Sequence, residues 1–289
     1  MDLYVLNAIL FGLIIGSFLS VCIYRIPIGK KWDEDGVEQK PEEADTSEPK
    51  VTLLSPARSF CFACRKQLKW WHNIPVVSWM FLGGKCGFCG TKISVRYPAV
   101  ELLSALFSAL SYQMYGFTPT GVLVYLFCAA LIVISFIDYD YYIIPNVISL
   151  PGTVLGLGVA LLNTYTGWFQ YPVVPKLSAA LLGIVVGAGF LLLISEFYFR
   201  LRRKEGLGMG DVKLLAMTGA FFGPACALYT IFIGSLLGSV LGILLILVSG
   251  RKISQQLPFG PYLALGTICY LFVRGGPFAQ LFYGLTVGF

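Results

Sequence analysis

Charge is scarce in this chain. Asp, Glu, Lys and Arg make up 12% of its 289 residues against 57% hydrophobic ones, and its mean hydropathy is +0.77. A composition so poor in charge excludes a water-soluble protein of this length and points to a polytopic membrane protein. Histidine is scarcer still, with His72 the only one. A chain with one histidine has no His-x-x-x-His pair for zinc hydrolysis, and no serine or cysteine here is arranged with a histidine base for acyl transfer. Gly206 to Gly210 lacks the Gly-Lys-Ser/Thr ending and the preceding strand of a phosphate loop. The net charge of +6 says little about nucleic acid, and no nucleic-acid partner is expected. There is no convincing internal repeat, and the spacing of Gly183 and Gly187 marks only close helix packing.

Apolar runs fill most of the chain. Those that could cross a bilayer as helices of about 20 residues lie near Leu3 to Tyr24, Val100 to Tyr115, Gly121 to Phe136 and Asn146 to Asn163. Others lie near Leu177 to Phe199, Val212 to Phe222, Ala225 to Val248 and Pro258 to Val273, with Gly223-Pro224 as a break. The expected fold is therefore all-α and polytopic, with about eight transmembrane helices. Asp2 precedes the first run where a signal peptide has basic residues, so this run is read as a retained span. Lys and Arg concentrate in the loops Arg25 to Arg96, Asp138 to Pro145, Arg200 to Gly210 and Gly250 to Leu257, and the opposite loops hold little beyond Lys176 and Arg274. By the positive-inside rule the first set is cytoplasmic and both termini face away from the cytoplasm.

Three regions follow: a first helix (1–25), a cytoplasmic loop (26–99) and a membrane core (100–289). Within the loop, 29–49 is acidic, polar and unable to bury a core, a mobile connector. From 51 to 98 the composition turns to aromatics and cysteine. Cys61-Phe-Ala-Cys64 and Cys86-Gly-Phe-Cys89 have the spacing of a four-cysteine zinc site, each pair aiming two thiolates at one tetrahedral ion. Two disulfides are the alternative, which a reducing cytoplasm disfavours. A module of about 50 residues has little core, so the metal would supply much of its stability. With four sulfur ligands such a zinc is structural. Cys22, Cys128, Cys226 and Cys269 sit singly in apolar runs as packing residues.

Five acids stand out in the apolar part: Glu101, Asp138, Asp140, Glu196 and Asp211. A carboxylate at the edge of hydrocarbon must be paired, hydrated or used in chemistry. Asp211 closes Gly206-Leu-Gly-Met-Gly-Asp211, whose glycines permit close backbone approach. Asp138 ends the third run, and with eight spans it reaches the same face as Asp211. Two such carboxyls cannot both ionise comfortably, so one acts as base and the other as acid, a pairing suited to hydrolysis. Asp140 lies about 200° around a helix from Asp138, so only one of them can face Asp211, and Asp138 closes the apolar run. The alternative is that both acids merely end helices or pair with Lys213, Arg202, Arg203 and Lys204.

In these residues the chain resembles the bacterial type IV prepilin leader peptidases, GxGD-type intramembrane aspartyl proteases. The likeness runs through Gly16-Ser17-Phe18, Tyr24-Arg25-Ile26-Pro27, both Cys-x-x-Cys pairs, Asn73-Ile74-Pro75 with Ser78, and Ser94-Val-Arg96-Tyr-Pro98. It continues through Val100-Glu101-Leu102, the Asp138 segment to Pro145-Asn146, Lys204 to Lys213, and Pro258-Phe-Gly-Pro-Tyr262. The resemblance implies cleavage of the basic leader of type IV prepilins and type II secretion pseudopilins at the cytoplasmic face of a bacterial inner membrane, amid membrane lipid. It also implies N-methylation of the new N-terminus from S-adenosylmethionine. By the same resemblance Asp138 and Asp211 are catalytic, and Cys61, Cys64, Cys86 and Cys89 hold the zinc. Arg96 and Glu101 are candidates for orienting the methyl donor; alternatively they pair with each other or anchor the interface. This chain has Ser20 where the family usually has Asn, and Pro145-Asn146 where Pro-Asp is common. The rival readings are a leader peptidase without methyl transfer and a non-enzymatic subunit that docks partners through its zinc module.

Overall fold

The computed structural model describes residues 3–27, 31–32, 38–39, 59–61, 63–170, 173–203, 208–249 and 257–273. Most of the 29–49 connector, the start of the cysteine module at 51–58, and Gly206 and Leu207 lie outside the described residues. Helices dominate the rest: α1 (Leu3–Arg25), a short α2 (Val77–Phe81), α3 (Arg96–Tyr115), α4 (Pro119–Tyr141), α5 (Asn146–Thr166), α6 (Leu177–Arg202), α7 (Met209–Ser249) and α8 (Gly260–Phe272). The described residues also include two strands of two residues, Lys31–Trp32 and Glu38–Gln39, and a 3-10 turn at Trp70–Asn73.

Seven of the eight apolar runs lie within a helix, and the last, Pro258 to Val273, extends beyond both ends of α8. α7 contains two of them and breaks where Pro224 requires it: proline removes a helical N–H and pushes its predecessor out of the α region, and Gly223 takes φ 78°, ψ −176°. Among the described residues five helices, α1, α4, α5, α6 and α7, are long and apolar enough to cross a membrane. α3 is diluted by Arg96, Glu101, Gln113 and three serines, and α8 has only 13 residues, against the roughly 20 that a span requires.

The chain divides into two compact units. The first comprises residues 1–31, 39–117 and 121–133. Here α1 lies against α3 because two glycines let the backbones meet: a Cβ at Gly12 would fall 2.5 Å from Ala105 Cα, and one at Gly16 would fall 2.6 Å from Glu101 Cα. Serines fasten α3 to its neighbours, with Ser108 donating to the Ala8 carbonyl of α1 at 2.7 Å and Ser104 sharing a hydrogen bond with the Tyr125 hydroxyl of α4 at 3.0 Å. Small and hydroxylated residues are what an apolar helix interface without a hydrophobic driving force uses.

The second unit comprises residues 32–38, 118–120 and 134–289. α7 is its axis, packed by α5, α6 and α8. Gly183 of α6 and Gly219 of α7 face each other so closely that a Cβ on either would collide with the other's backbone. Thr230 and Thr267 join α7 to α8 through a 3.0 Å hydrogen bond. Leu214, Leu215, Met217, Leu263 and Leu271 are fully buried around this axis. The packing brings together the last turn of α4, the first turn of α7 and the start of α8.

Candidate active site and metal centre

Asp138 and Asp211 occupy that meeting point, 5% and 9% exposed. α4 runs on to Tyr141, so Asp138 faces inward while Asp140, two residues on, is exposed, as the helical geometry requires. After α4 the chain turns sharply at Tyr142, which adopts φ 58°. Ile144 is then buried against Gly210, where a Cβ would lie 2.9 Å from the Ile144 Cβ. Gly210 thus lets the α4–α5 connection dock on the first turn of α7, and Asp211 follows it immediately. Its carboxylate sits at a helix N-terminus, where the macrodipole favours negative charge.

Gly260 performs the matching task for Asp138. Its amide donates to Asp138 Oδ2 at 2.9 Å, and a Cβ there would lie 2.7 Å from the same oxygen. Asp138 and Asp211 are close enough to interact electrostatically, and neither leans on a cation among the described residues. Two buried acids that interact with no cation beside them among the described residues can share a proton, one serving as base and the other as acid. Glu196 is different: it is exposed and bonded to Arg200 at 2.7 Å, one turn along α6.

The cysteine module presents a second centre, in the first unit. The Sγ atoms of Cys61, Cys64, Cys86 and Cys89 all lie within 4.8 Å of one another, and Cys61 and Cys89 are 3.8 Å apart. A tetrahedron with metal–sulfur bonds of about 2.3 Å has edges close to this length, whereas a disulfide needs about 2.05 Å. All four are free thiols. Hydrogen bonds with the Thr91 hydroxyl and backbone hold Cys89 down to about 6, and one with the Cys64 backbone lowers Cys61. Cys64 hydrogen-bonds with the Lys66 backbone, which pulls it down, yet desolvation and the neighbouring Cys61 and Cys89 sulfurs push it up to about 11. Sulfurs so crowded that some ionise early and one late are a donor set that a dication would relieve; this chemistry fits zinc. His72 is a packing residue, edge-on to Trp71 and to Phe88 at ring distances of 5.8 and 5.1 Å.

Arg96 and Glu101 part company. Arg96 is exposed at the start of α3, whereas Glu101, 7% exposed, accepts the Val76 amide at 2.7 Å and bonds with Ser17. Glu101 borders a cavity that Arg96 does not reach; the arginine on its wall is Arg25, buried at the end of α1. Sequence reasoning missed Arg25 and Gly260 as site residues, although both stand in motifs that carry the family likeness.

Residues 10–115 match the bacterial peptidase A24 N-terminal domain, and residues 125–243 match the type IV leader peptidase family. A prepilin leader peptidase/N-methyltransferase of Pseudomonas aeruginosa is 38% identical over 91% of this chain and 88% of its own length. Proteins of the same name from Burkholderia pseudomallei, 35% identical over 96% of the chain and 87% of theirs, and Aeromonas hydrophila, 38% over 91% and 88%, are similar to it as well. No solved structure matches the chain.

Proposed function

The chain belongs to the type IV leader peptidase family, and from that premise we propose that it cleaves the leader from type IV prepilins and type II secretion pseudopilins and N-methylates the residue exposed. The observation that carries the cleavage is the pair of buried, mutually interacting acids Asp138 and Asp211, delivered from distant helices. One carboxylate takes a proton from water as its oxygen attacks the scissile carbonyl. The other, protonated, gives its proton to the leaving amine as the C–N bond breaks. A prepilin is itself a membrane helix with a charged leader, so a dyad at the cytoplasmic interface meets the cleavage site without extracting the helix from lipid.

Methyl transfer draws on S-adenosylmethionine. The new N-terminal amine, neutral, attacks the sulfonium methyl carbon, the C–S bond electrons return to sulfur, and the amine sheds a proton to solvent. This step demands positioning more than acid–base help. Cys61, Cys64, Cys86 and Cys89 would hold a structural zinc that stabilises the 51–98 module within the 26–99 cytoplasmic loop, the membrane core being 100–289. Orientation with that loop and both acids at the cytoplasmic face of the inner membrane follows the distribution of Lys and Arg.

The test is to incubate the purified protein with a prepilin peptide and methyl-labelled S-adenosylmethionine. The reading requires a shortened peptide whose new N-terminal amine carries label. An intact peptide removes the peptidase; a shortened, unlabelled one removes the methyltransferase.

A further inference from the structure

The first unit contains a cavity of about 410 Å³ enclosed by the end of α1, the start of α3 and the cysteine module. Its size falls in the range of small-molecule sites, roughly 300–1,000 Å³, and the proposed peptidase chemistry makes no use of it. We propose that this cavity is the S-adenosylmethionine site, with Glu101 receiving the cationic end of the methyl donor; this rests on the methyl-transfer half of the proposed function.

The walls match the ligand group by group. S-adenosylmethionine carries two positive centres, the sulfonium and the α-ammonium, one carboxylate and a flat purine. Glu101 is the one carboxylate on the cavity wall among the described residues, and its partners there, the Val76 amide and the Ser17 hydroxyl, are neutral. Those two bonds orient the group without cancelling its charge. Gly16 makes this possible, because its missing Cβ brings the α1 backbone against Glu101 Cα and Ser17 beside the carboxyl. Across the same cavity Arg25, 8% exposed, suits the ligand's carboxylate. Trp79, whose ring is fixed by donation from Nε1 to the Ile93 carbonyl at 3.2 Å, offers a flat apolar face to the purine.

The buried Glu101 carboxylate would hold a sulfonium in a desolvated setting where opposite charges attract strongly. Cys61 and Cys86 form part of the same wall, so the cysteine cluster helps to shape the cavity.

The experiment measures equilibrium binding of radiolabelled S-adenosylmethionine to the full-length protein in detergent, for wild type, Glu101→Gln and Val21→Trp. Glu101→Gln keeps the shape and removes the charge; Val21→Trp fills the cavity from α1 and removes no charged group. The expected result is saturable binding to wild type, a loss of about 10- to 100-fold in affinity for Glu101→Gln, the range for a hydrogen bond to a charged group, and no measurable binding to Val21→Trp. S-adenosylhomocysteine, which lacks the sulfonium charge, is expected to feel Glu101→Gln less than the methyl donor does. Elution profile and thermal midpoint establish that each variant is folded, and if one is not, the other decides. Wild-type affinity in a folded variant of either kind would overturn the cavity assignment while leaving methyl transfer intact. A variant that raises KM for the cleaved pilin with donor affinity unchanged would overturn it too, by assigning the cavity to the peptide. A wild type that neither binds nor transfers the methyl group would remove the methyltransferase reading itself.

Discussion

The amide of Gly260, the first residue of α8, donates a hydrogen bond to Asp138 Oδ2 in the last turn of α4, across 122 positions of sequence and 2.9 Å of space. The same glycine leaves no room for a Cβ, which would sit 2.7 Å from that oxygen. One residue therefore both orients the acid and permits its approach. The start of α8 belongs to the catalytic apparatus proposed here, although it supplies no side chain to it.

Gly260→Ala is expected to displace the Asp138 carboxyl, and a shift of about 1 Å in a reacting group costs on the order of 100-fold in rate. The loss should appear in kcat more than in KM. Gly158→Ala, where a Cβ meets nothing within 4 Å, is the control and should cleave within about twofold of wild type while gaining up to about 1 kcal/mol of helix stability. A Gly260→Ala enzyme as fast as the control would show that the hydrogen bond has no role in positioning Asp138.

Gly210→Val drives a branched side chain into Ile144, whose Cβ is already within 2.9 Å of where the new Cβ must go. Overpacking of this kind costs about 1–3 kcal/mol and should separate the α4–α5 connection from α7. Thermal melting should fall and cleavage should drop with it. Unchanged melting would mean that this contact does not hold the two helix ends together.

Removing the metal should unfold the cysteine module without melting the membrane helices. Elemental analysis of the purified protein should find about one zinc per chain, lost in a Cys61→Ser, Cys64→Ser double variant. The ligands bind as thiolates, so zinc competes with protons. With Cys64 pushed up to about 11, binding at neutral pH must expel its proton, and zinc affinity should therefore rise between about pH 6 and pH 8 and fall on acidification. Affinity that stays flat across that range would argue that the sulfurs do not bind together.

Much of this arrangement is legible in the residues themselves. The apolar runs locate the helices, and Gly223-Pro224 locates the break in α7, because the causes are local: hydrophobic length and the stereochemistry of proline. Helical rotation lets only one of Asp138 and Asp140 face inward, and the end of the apolar run points to Asp138; in the fold Asp138 is buried and Asp140 exposed. The cysteine cluster follows from two tight turns with a suitable linker. What escapes the sequence is set by packing between distant segments. Nothing local announces that Gly260 will face Asp138, or that Ile144 will fill the gap over Gly210. Arg96 and Arg25 both stand in interfacial motifs, and only the fold places Arg25 on the cavity wall and leaves Arg96 outside. The polar residues of α3 are similar: Glu101, Ser104 and Ser108 weaken it as an apolar span because they serve its seam with α1 and the cavity beside it.

The most direct test of the dyad is the rate of prepilin cleavage by Asp138→Asn, Asp211→Asn and the double variant, each verified as folded. Residues that act as one unit are grossly non-additive. Each single change should therefore cost about 100- to 10,000-fold, the worth of positioned acid–base catalysis, and the double variant should be no slower than the worse single one. Cleavage near the wild-type rate by either single variant, or single losses that multiply in the double, would contradict an account in which the two acids share one proton and one reaction.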